Sequence, residues 1–139
     1  MALRLSPYEF ACSGDNGFKG INERSWQLPP EVPDYSPNPH PLVVQSGDRV
    51  CIVVRNLNAD SHPFHLHGHH FEVVRIGDVE FRGAMRDSAV VDPGECAEIE
   101  VCFDATNVGI WPLHCHMTYH LAAGMLTTVE YADSIYSTE

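Results

Sequence analysis

The chain has little positive charge: 8 Lys and Arg residues stand against 19 Asp and Glu residues, and the formal net charge is -11. Such an acidic surface repels phosphate backbones, so we expect no nucleic-acid partner. Continuous apolar runs are also short, well below the roughly 20 residues that a membrane-spanning helix needs. We therefore expect no membrane partner, and the acidic balance is most simply that of a soluble surface.

The first 14 residues contain no apolar block long enough for a signal peptide. Two alternatives stay open: a cytoplasmic protein, or a sequence that begins after processing or at a cloning boundary. The length of 139 residues suits one domain with a core of its own. We expect a single domain over residues 1–139, with an irregular segment over 1–14 and a proline-rich loop over 29–41.

Cysteine spacing of the C-x-x-C type is absent, which argues against a cysteine-rich structural zinc site. The chain has five cysteines, so at least one lies outside any disulfide within the chain. Cys96 and Cys102 share a strand face, but they are too far apart for a direct bridge in an extended strand. The sequence leaves the pairing open among Cys12, Cys51, Cys96 and Cys102.

Short apolar segments separated by turn signals predict an all-β chain. The segment Glu95–Phe103 alternates cleanly, with apolar residues on one face and glutamates on the other. The other predicted strands are Leu42–Gln45, Arg49–Asn56, Phe64–His67, Phe71–Ile76, Ala89–Val91, Ile110–Cys115 and Met125–Tyr131. A short helical turn is expected over Met117–Ala122. This series of strands favours a Greek-key β-sandwich or barrel.

Histidine is abundant, with nine residues, and most lie in two segments, His-Pro-Phe-His-Leu-His from His62 and His-Cys-His from His114. Neighbouring residues on a strand point to opposite faces, and residues two apart share a face. If the two segments are adjacent strands, one face of the pair carries His62 and Cys115. The opposite face carries four imidazoles, which we call the imidazole cluster: His65, His67, His114 and His116.

Two further residues complete a ligand set on the cysteine side. His120 lies five residues after Cys115, and Met125 lies five residues further on. Two histidines and a cysteine in a trigonal set, with a weak axial thioether, are the ligands of a type 1 (blue) copper site. We therefore predict that His62, Cys115, His120 and Met125 bind copper. The alternative is a buried thiol that packs beside core histidines.

The imidazole cluster contains no carboxylate, and neutral imidazole suits copper and zinc. Buried rings without a metal would each need hydrogen-bond partners, which makes a purely structural role costly. Cys115 is joined through the backbone to both His114 and His116, so an electron on its thiolate has a short covalent path to the cluster. The alternative is a half-site inherited from a longer enzyme.

These motifs, H-x-x-H-x-H and H-C-H-x-x-x-H-x-x-x-x-M, resemble the signature of multicopper oxidases such as laccases, bilirubin oxidases and copper-resistance oxidases. The similarity extends to Phe18–Trp26, to Arg86–Asp87 and to Gly109–Trp111, and spans roughly residues 15 to 132. It implies the C-terminal cupredoxin domain of a laccase-like enzyme, the domain that carries type 1 copper. The cupredoxin fold is a Greek-key sandwich with a short helical turn near the copper site.

The resemblance also implies a role for each histidine of the cluster. It matches His65 to a type 2 copper ligand, and His67, His114 and His116 to type 3 copper ligands. In the family, type 1 copper takes electrons from a phenol, an aromatic amine or a metal ion. The other coppers reduce dioxygen to water, and Cys115, His114 and His116 connect the two sites. The implied location is extracellular or periplasmic.

One departure from the family concerns the number of histidines. The family's cluster takes a second, equal set of histidines from another domain, and the three histidines still unassigned form no H-x-H pair: His40, His69 and His70. We expect the missing set to come from a homo-oligomer or from a partner chain. The alternatives are a single-domain electron-transfer or copper-binding module and an isolated domain that is inactive alone. Either His69 or His70 is expected to orient a ligand, and His40 to be solvated.

Overall fold

A computed structural model describes the chain in seven stretches: residues 5–13, 20–21, 41–56, 61–80, 82–92, 97–116 and 126–133, with side chains from residue 41 onward. The strands in these stretches are β1 (Leu5–Ser13), β2 (Gly20–Ile21), β3 (Leu42–Val44), β4 (Arg49–Asn56), β5 (His62–Leu66), β6 (Phe71–Ile76), β7 (Val79–Glu80), β8 (Met85–Arg86), β9 (Ser88–Val91), β10 (Ala97–Asp104), β11 (Ile110–Cys115) and β12 (Leu126–Tyr131). No helix within the described stretches has the length and apolar character to cross a membrane.

The strands form two sheets. A seven-stranded sheet has the order β2-β1-β4-β10-β6-β7, with β8 also paired to β6, and a five-stranded sheet has the order β3-β12-β11-β5-β9. Most neighbours are antiparallel, while β1 with β4 and β3 with β12 are parallel. The all-β sandwich that the sequence predicts is confirmed.

The core lies between the two sheets and follows strict alternation along the strands. In β4 every second side chain is buried, which places Val50, Ile52 and Val54 inside. The strand ends at Asn56, a fully buried polar residue whose amide Nδ2 donates to the carbonyl oxygens of Val91 and Asp92, both at 3.2 Å. These bonds satisfy the amide and fasten the end of β4 to the end of β9, next to β5.

The expectation of an irregular segment over residues 1–14 is wrong for Leu5–Ser13, which is strand β1. This strand runs parallel to β4, and Leu5 to Cys12 pair in register with Arg49 to Asn56. The segment contains Pro7 and lacks clear alternation, so its own sequence gives little strand signal. Pairing with β4 stabilises the strand conformation of this segment, because β-propensity depends strongly on context.

Other predicted boundaries need smaller corrections. Strand β5 begins at His62 and ends at Leu66, because the segment before Phe64 pairs with β9 through Pro63 and Val90. The first predicted strand ends at Val44 rather than Gln45. The helical turn expected over 117–122 and the loop expected over 29–41, apart from Pro41, lie outside the described residues.

The pairing of two cysteines, which the sequence left open, is settled by the register of β4 and β10. Cys51 and Cys102 lie directly opposite each other with a Cα–Cα distance of 4.1 Å, and they form a disulfide. The same face of this sheet carries cross-strand ion pairs, including Arg55 with Glu98 at 3.0 Å. A disulfide and ion pairs therefore link β4 to β10 on the face of the sheet that points away from the core.

Candidate metal centre

Strands β5 and β11 lie side by side and antiparallel, as the grouping of histidines required. Their register places His65 opposite His114, and Phe64 opposite Cys115. Side chains that are opposite each other on the two strands point to the same face of the sheet. The imidazoles fall on the outer face of the five-stranded sheet, and Cys115 faces the core.

The four rings of the imidazole cluster lie close together. Ring centroids are separated by 4.6 Å for His65 and His67, and by 5.9 Å for His114 and His116. The Nε2 atoms of His67 and His114 are 2.9 Å apart. Four histidines from two strands thus meet on one patch, as strand parity predicts.

Backbone carbonyls hold two of these rings in a defined tautomer. His65 Nδ1 lies 2.9 Å from the carbonyl oxygen of Asp87 and 3.2 Å from Ser88 Oγ. His114 Nδ1 lies 2.9 Å from the carbonyl oxygen of Cys115. A carbonyl only accepts, so each Nδ1 carries the proton and each Nε2 keeps its lone pair. This is how proteins prepare histidines as metal ligands.

Electrostatics favours the neutral form of two rings of the cluster, His67 and His114. The pKa of His67 is lowered from 6.5 mainly by burial, with added repulsion from the neighbouring imidazoles. Burial also lowers the pKa of His114 from 6.5, although its hydrogen bond to the Cys115 carbonyl opposes the shift. In the neutral form, His67 and His114 each offer a lone pair, and a metal ion between them would relieve the crowding of their Nε2 atoms.

On the inner face, Cys115 and His62 contact each other, with Sγ 3.7 Å from Nδ1. Both residues are completely buried. A thiol and an imidazole converging in a water-free core form the kind of soft donor pair that copper takes in blue sites, so the residues present fit that metal. The other two predicted ligands, His120 and Met125, lie outside the described residues.

Backbone hydrogen bonds clamp the two strands where the site lies. The N–H of His116 donates to the carbonyl oxygen of Pro63 at 2.6 Å, and the N–H of His67 donates to that of Pro112 at 3.0 Å. These bonds continue the ladder beyond the regular ends of β5 and β11. They fix the register of the two strands, which places Cys115 on one face and the cluster on the other.

His69 is held against the backbone of a cluster residue, and the orienting role expected for it or for His70 stays a prediction. Its Nδ1–H donates to the carbonyl oxygen of His67 at 3.0 Å, and its Nε2 accepts from the Tyr131 hydroxyl at 2.7 Å. Both ring nitrogens are therefore used within the protein. Burial raises the pKa of Tyr131 and keeps its hydroxyl protonated. Sequence reasoning missed Tyr131 and Ser88, since neither lies in a histidine motif.

A second group of donor atoms lies on the other sheet, where Cys51, Glu100 and Cys102 have donors within 4.8 Å of one another. The two cysteines are joined in a disulfide, so they offer no thiolate to a metal ion. Glu100 is engaged by the Nε of Arg75 at 3.2 Å. This group is a structural crosslink with an ion pair beside it.

The two-sheet sandwich is that of a cupredoxin-class protein. Residues 15–134 match the multicopper oxidase family model, so the chain belongs to the multicopper oxidase family, whose members use copper cofactors. The chain is 36% identical over 92 residues to multicopper oxidase MmcO of Mycobacterium tuberculosis, covering 66% of this chain and 18% of that protein. It is 33% identical over 107 residues to iron transport multicopper oxidase fio1 of Schizosaccharomyces pombe, covering 68% and 17%.

Solved structures agree with this fold. The crystal structure of the McoA multicopper oxidase from Aquifex aeolicus superimposes with a TM-score of 0.73 at 24% identity, over 93% of this chain and 29% of that one. The predicted cupredoxin fold is thereby confirmed. The match to the family model confirms the prediction of a multicopper oxidase with a copper cofactor. The chain spans less than a fifth of the length of the two curated relatives above.

Proposed function

We propose that this chain is the type 1 copper-bearing, C-terminal domain of a laccase-like multicopper oxidase. It would take electrons from a small reducing substrate and pass them through Cys115 to a cluster that reduces dioxygen to water. One observation carries the proposal. Adjacent strands β5 and β11 send a buried thiol and imidazole to one face, and four imidazoles to the other.

The inner donor set is proposed to hold type 1 copper through His62 and Cys115, together with His120 and Met125. When bound, copper supplies one-electron transfer at this site and dioxygen reduction at the cluster. The protein's contribution is rigidity, since complete burial of His62 and Cys115 excludes water and restricts movement of their side chains. Little reorganisation of the ligands favours fast electron transfer.

The outer donor set is proposed to hold type 2 copper through His65 and type 3 copper through His67, His114 and His116. The carbonyl bonds to Nδ1 of His65 and His114 support this assignment, because they aim Nε2 away from the backbone. Cys115 stands between His114 and His116 in the chain. Peptide bonds and the His114–Cys115 hydrogen bond are therefore the direct route from thiolate to cluster.

The cluster is proposed to be completed by histidines that do not belong to this copy of the chain, supplied by a second copy or by a partner chain. The face that carries the histidines is suited to such contact. His116 is exposed there, and the exposed apolar side chain of Ile110 lies on the same strand as His114. Apolar residues around a polar site are typical of an interface.

The proposed reducing substrates are a phenol, an aromatic amine or a metal ion, with dioxygen as the electron acceptor. The name of the fission-yeast relative, an iron transport multicopper oxidase, supports a metal ion within this class. The proposed location is extracellular or periplasmic. A disulfide between Cys51 and Cys102 supports an oxidising compartment.

The test is copper stoichiometry with visible and electron paramagnetic resonance spectra, measured on protein of known oligomeric mass. More than one copper per chain, with type 2 or type 3 signals beside the blue one, supports the oxidase. One blue copper per chain in a monomer would instead indicate a single-domain electron-transfer module or a domain that is inactive alone. Absence of any blue copper would contradict both.

A further inference from the structure

A cavity of about 380 Å3 is lined by residues of both sheets. Its floor is formed by Val73 of β6 and Ile99 of β10, side chains that belong to the core. Pro63 and Val90, which pair across β5 and β9, form one wall. The volume is in the range of small-molecule sites, and none of the donor residues assigned to copper lines it.

The lining of this cavity includes the guanidinium of Arg86, which forms no ion pair with the residues that the structure describes. Within the described stretches, Arg49, Arg55 and Arg75 all form ion pairs with carboxylates. Arg86, which lines the cavity, forms no ion pair there, and neither does Arg82, next to the lining residue Gly83. In a chain with a net charge of -11, an arginine that lines a cavity and has no ion-pair partner within the described stretches marks a local site for an anion.

Exposed apolar side chains gather at the same opening. Ile76 and Val90 line the cavity and are 52% and 55% exposed. Val79, which pairs with Ile76 and so shares its face, is also exposed. Apolar surface concentrated around a concave site indicates a ligand or partner rather than chance exposure.

We propose that this cavity binds a small organic anion with an apolar body, of the aromatic carboxylate class. The apolar body lies against Val73 and Ile99, and the carboxylate reaches Arg86 at the rim. Bidentate pairing of a guanidinium with a carboxylate is the strong, oriented form of this contact. Charge complementarity and the mixed lining select this class over a neutral or cationic molecule.

The bound anion would lie next to the imidazole cluster without touching its donor atoms. Ser88 lines the cavity and its Oγ lies 3.2 Å from His65 Nδ1. Pro63 lines the cavity as well, and its carbonyl oxygen holds the N–H of His116. The site is nevertheless defined by its own residues, so its existence does not depend on the proposed oxidase function.

Calorimetric titration of the full protein with naphthoate tests the proposal, with naphthamide as the uncharged ligand of the same shape. We expect naphthoate to bind and naphthamide to bind at least tenfold more weakly. Arg86→Gln should weaken naphthoate binding about tenfold, the typical effect of losing one charge-assisted contact. Equal binding of the two ligands, or no heat with naphthoate, would overturn the proposal.

Two matched variants locate the site. Val90 is exposed, so Val90→Asp and Val90→Lys should both fold, which thermal unfolding checks. The aspartate should weaken naphthoate binding and the lysine should not. Arg49→Gln removes the same charge away from the cavity and should leave the affinity unchanged. An equal loss in Arg49→Gln and Arg86→Gln would show that net charge alone governs binding, and the cavity assignment would be wrong.

Discussion

Cys115 and His62 lie against each other inside the sandwich, with Sγ and Nδ1 3.7 Å apart, although 53 positions separate them in the sequence. They meet because β5 and β11 are antiparallel neighbours and both side chains point inward. The residues that flank Cys115 in the chain must then point outward. One pair of strands therefore presents two sets of donor side chains on opposite faces of the sheet, separated only by the backbone.

Substitutions on the two faces should have separable effects. Cys115→Ser removes the thiolate, so we expect loss of the intense blue absorption and of electron entry from the reducing substrate. His65→Ala lies on the opposite face and should keep the blue band while abolishing dioxygen consumption. Visible spectra and an oxygen electrode measure the two properties. An intense blue band in Cys115→Ser would refute the type 1 assignment.

Tyr131→Phe should destabilise the fold through His69. The change leaves His69 Nε2 and the N–H of Asn107 without the hydroxyl that each now contacts, at 2.7 Å and 3.2 Å. An unsatisfied buried polar group costs about 1–3 kcal/mol, and we expect that loss in the free energy of unfolding by denaturant titration. Combining it with His69→Leu gives a double-mutant cycle. If the losses in unfolding free energy of the two single variants simply added in the double variant, Tyr131 and His69 would not be coupled.

Gly68 should tolerate a methyl group far less well than Gly77. Both have positive φ, 72° and 57°, but a Cβ on Gly68 would lie 2.5 Å from the Trp111 ring, while Gly77 faces open space. Gly77→Ala should cost about 1 kcal/mol of unfolding free energy from backbone strain. Gly68→Ala should cost about 1–3 kcal/mol more. Trp111→Leu should recover part of that difference, and an unchanged difference would exclude the clash as its cause.

Reduction of the Cys51–Cys102 disulfide should lower stability without touching the copper donors. The bridge joins residues 51 positions apart, and closing a loop of that length contributes about 4 kcal/mol in the chain-entropy treatment. We expect a corresponding drop in unfolding free energy on adding reductant to the metal-free protein. The double variant Cys51→Ala, Cys102→Ala serves as control and should not respond. A similar response in the control would assign the effect elsewhere.

Glu98 should make the free energy of unfolding depend on pH. Its hydrogen bond from Arg75, with added support from Arg55, lowers its pKa from 4.5. A carboxyl group with a depressed pKa in the folded state stabilises the protein above 4.5 and loses that contribution as the pH falls through its folded-state pKa. Glu98→Gln should thus cost about 1 kcal/mol at neutral pH and progressively less in acid.

Chemical denaturation at a series of pH values measures this difference. Glu80→Gln is the matched control, because Glu80 is exposed and forms no ion pair with the rest of the described chain. We expect the control to match the unmodified protein at every pH. A constant difference between Glu98→Gln and the unmodified protein across the series would show that packing, rather than charge, explains the loss.

Much of the site's organisation follows from local alternation and was predictable. Strands Arg49–Asn56, Phe71–Ile76 and Ile110–Cys115 have the predicted bounds. The grouping of four imidazoles on one face, with His62 and Cys115 on the other, was predicted from strand parity. By contrast, β1 was missed, because Leu5–Ser13 is a strand by virtue of its ladder with β4 rather than its own pattern.

The sequence by itself determined which histidines share a face, because alternation along a strand is a property of the local backbone. It also determined, through its motifs, the family and the kind of metal. Only the tertiary structure decided that His65 pairs with His114, that Cys51 meets Cys102, and that Ser88 and Tyr131 support the rings. These contacts join distant parts of the chain, and their register depends on how the two sheets pack, which local pattern does not encode.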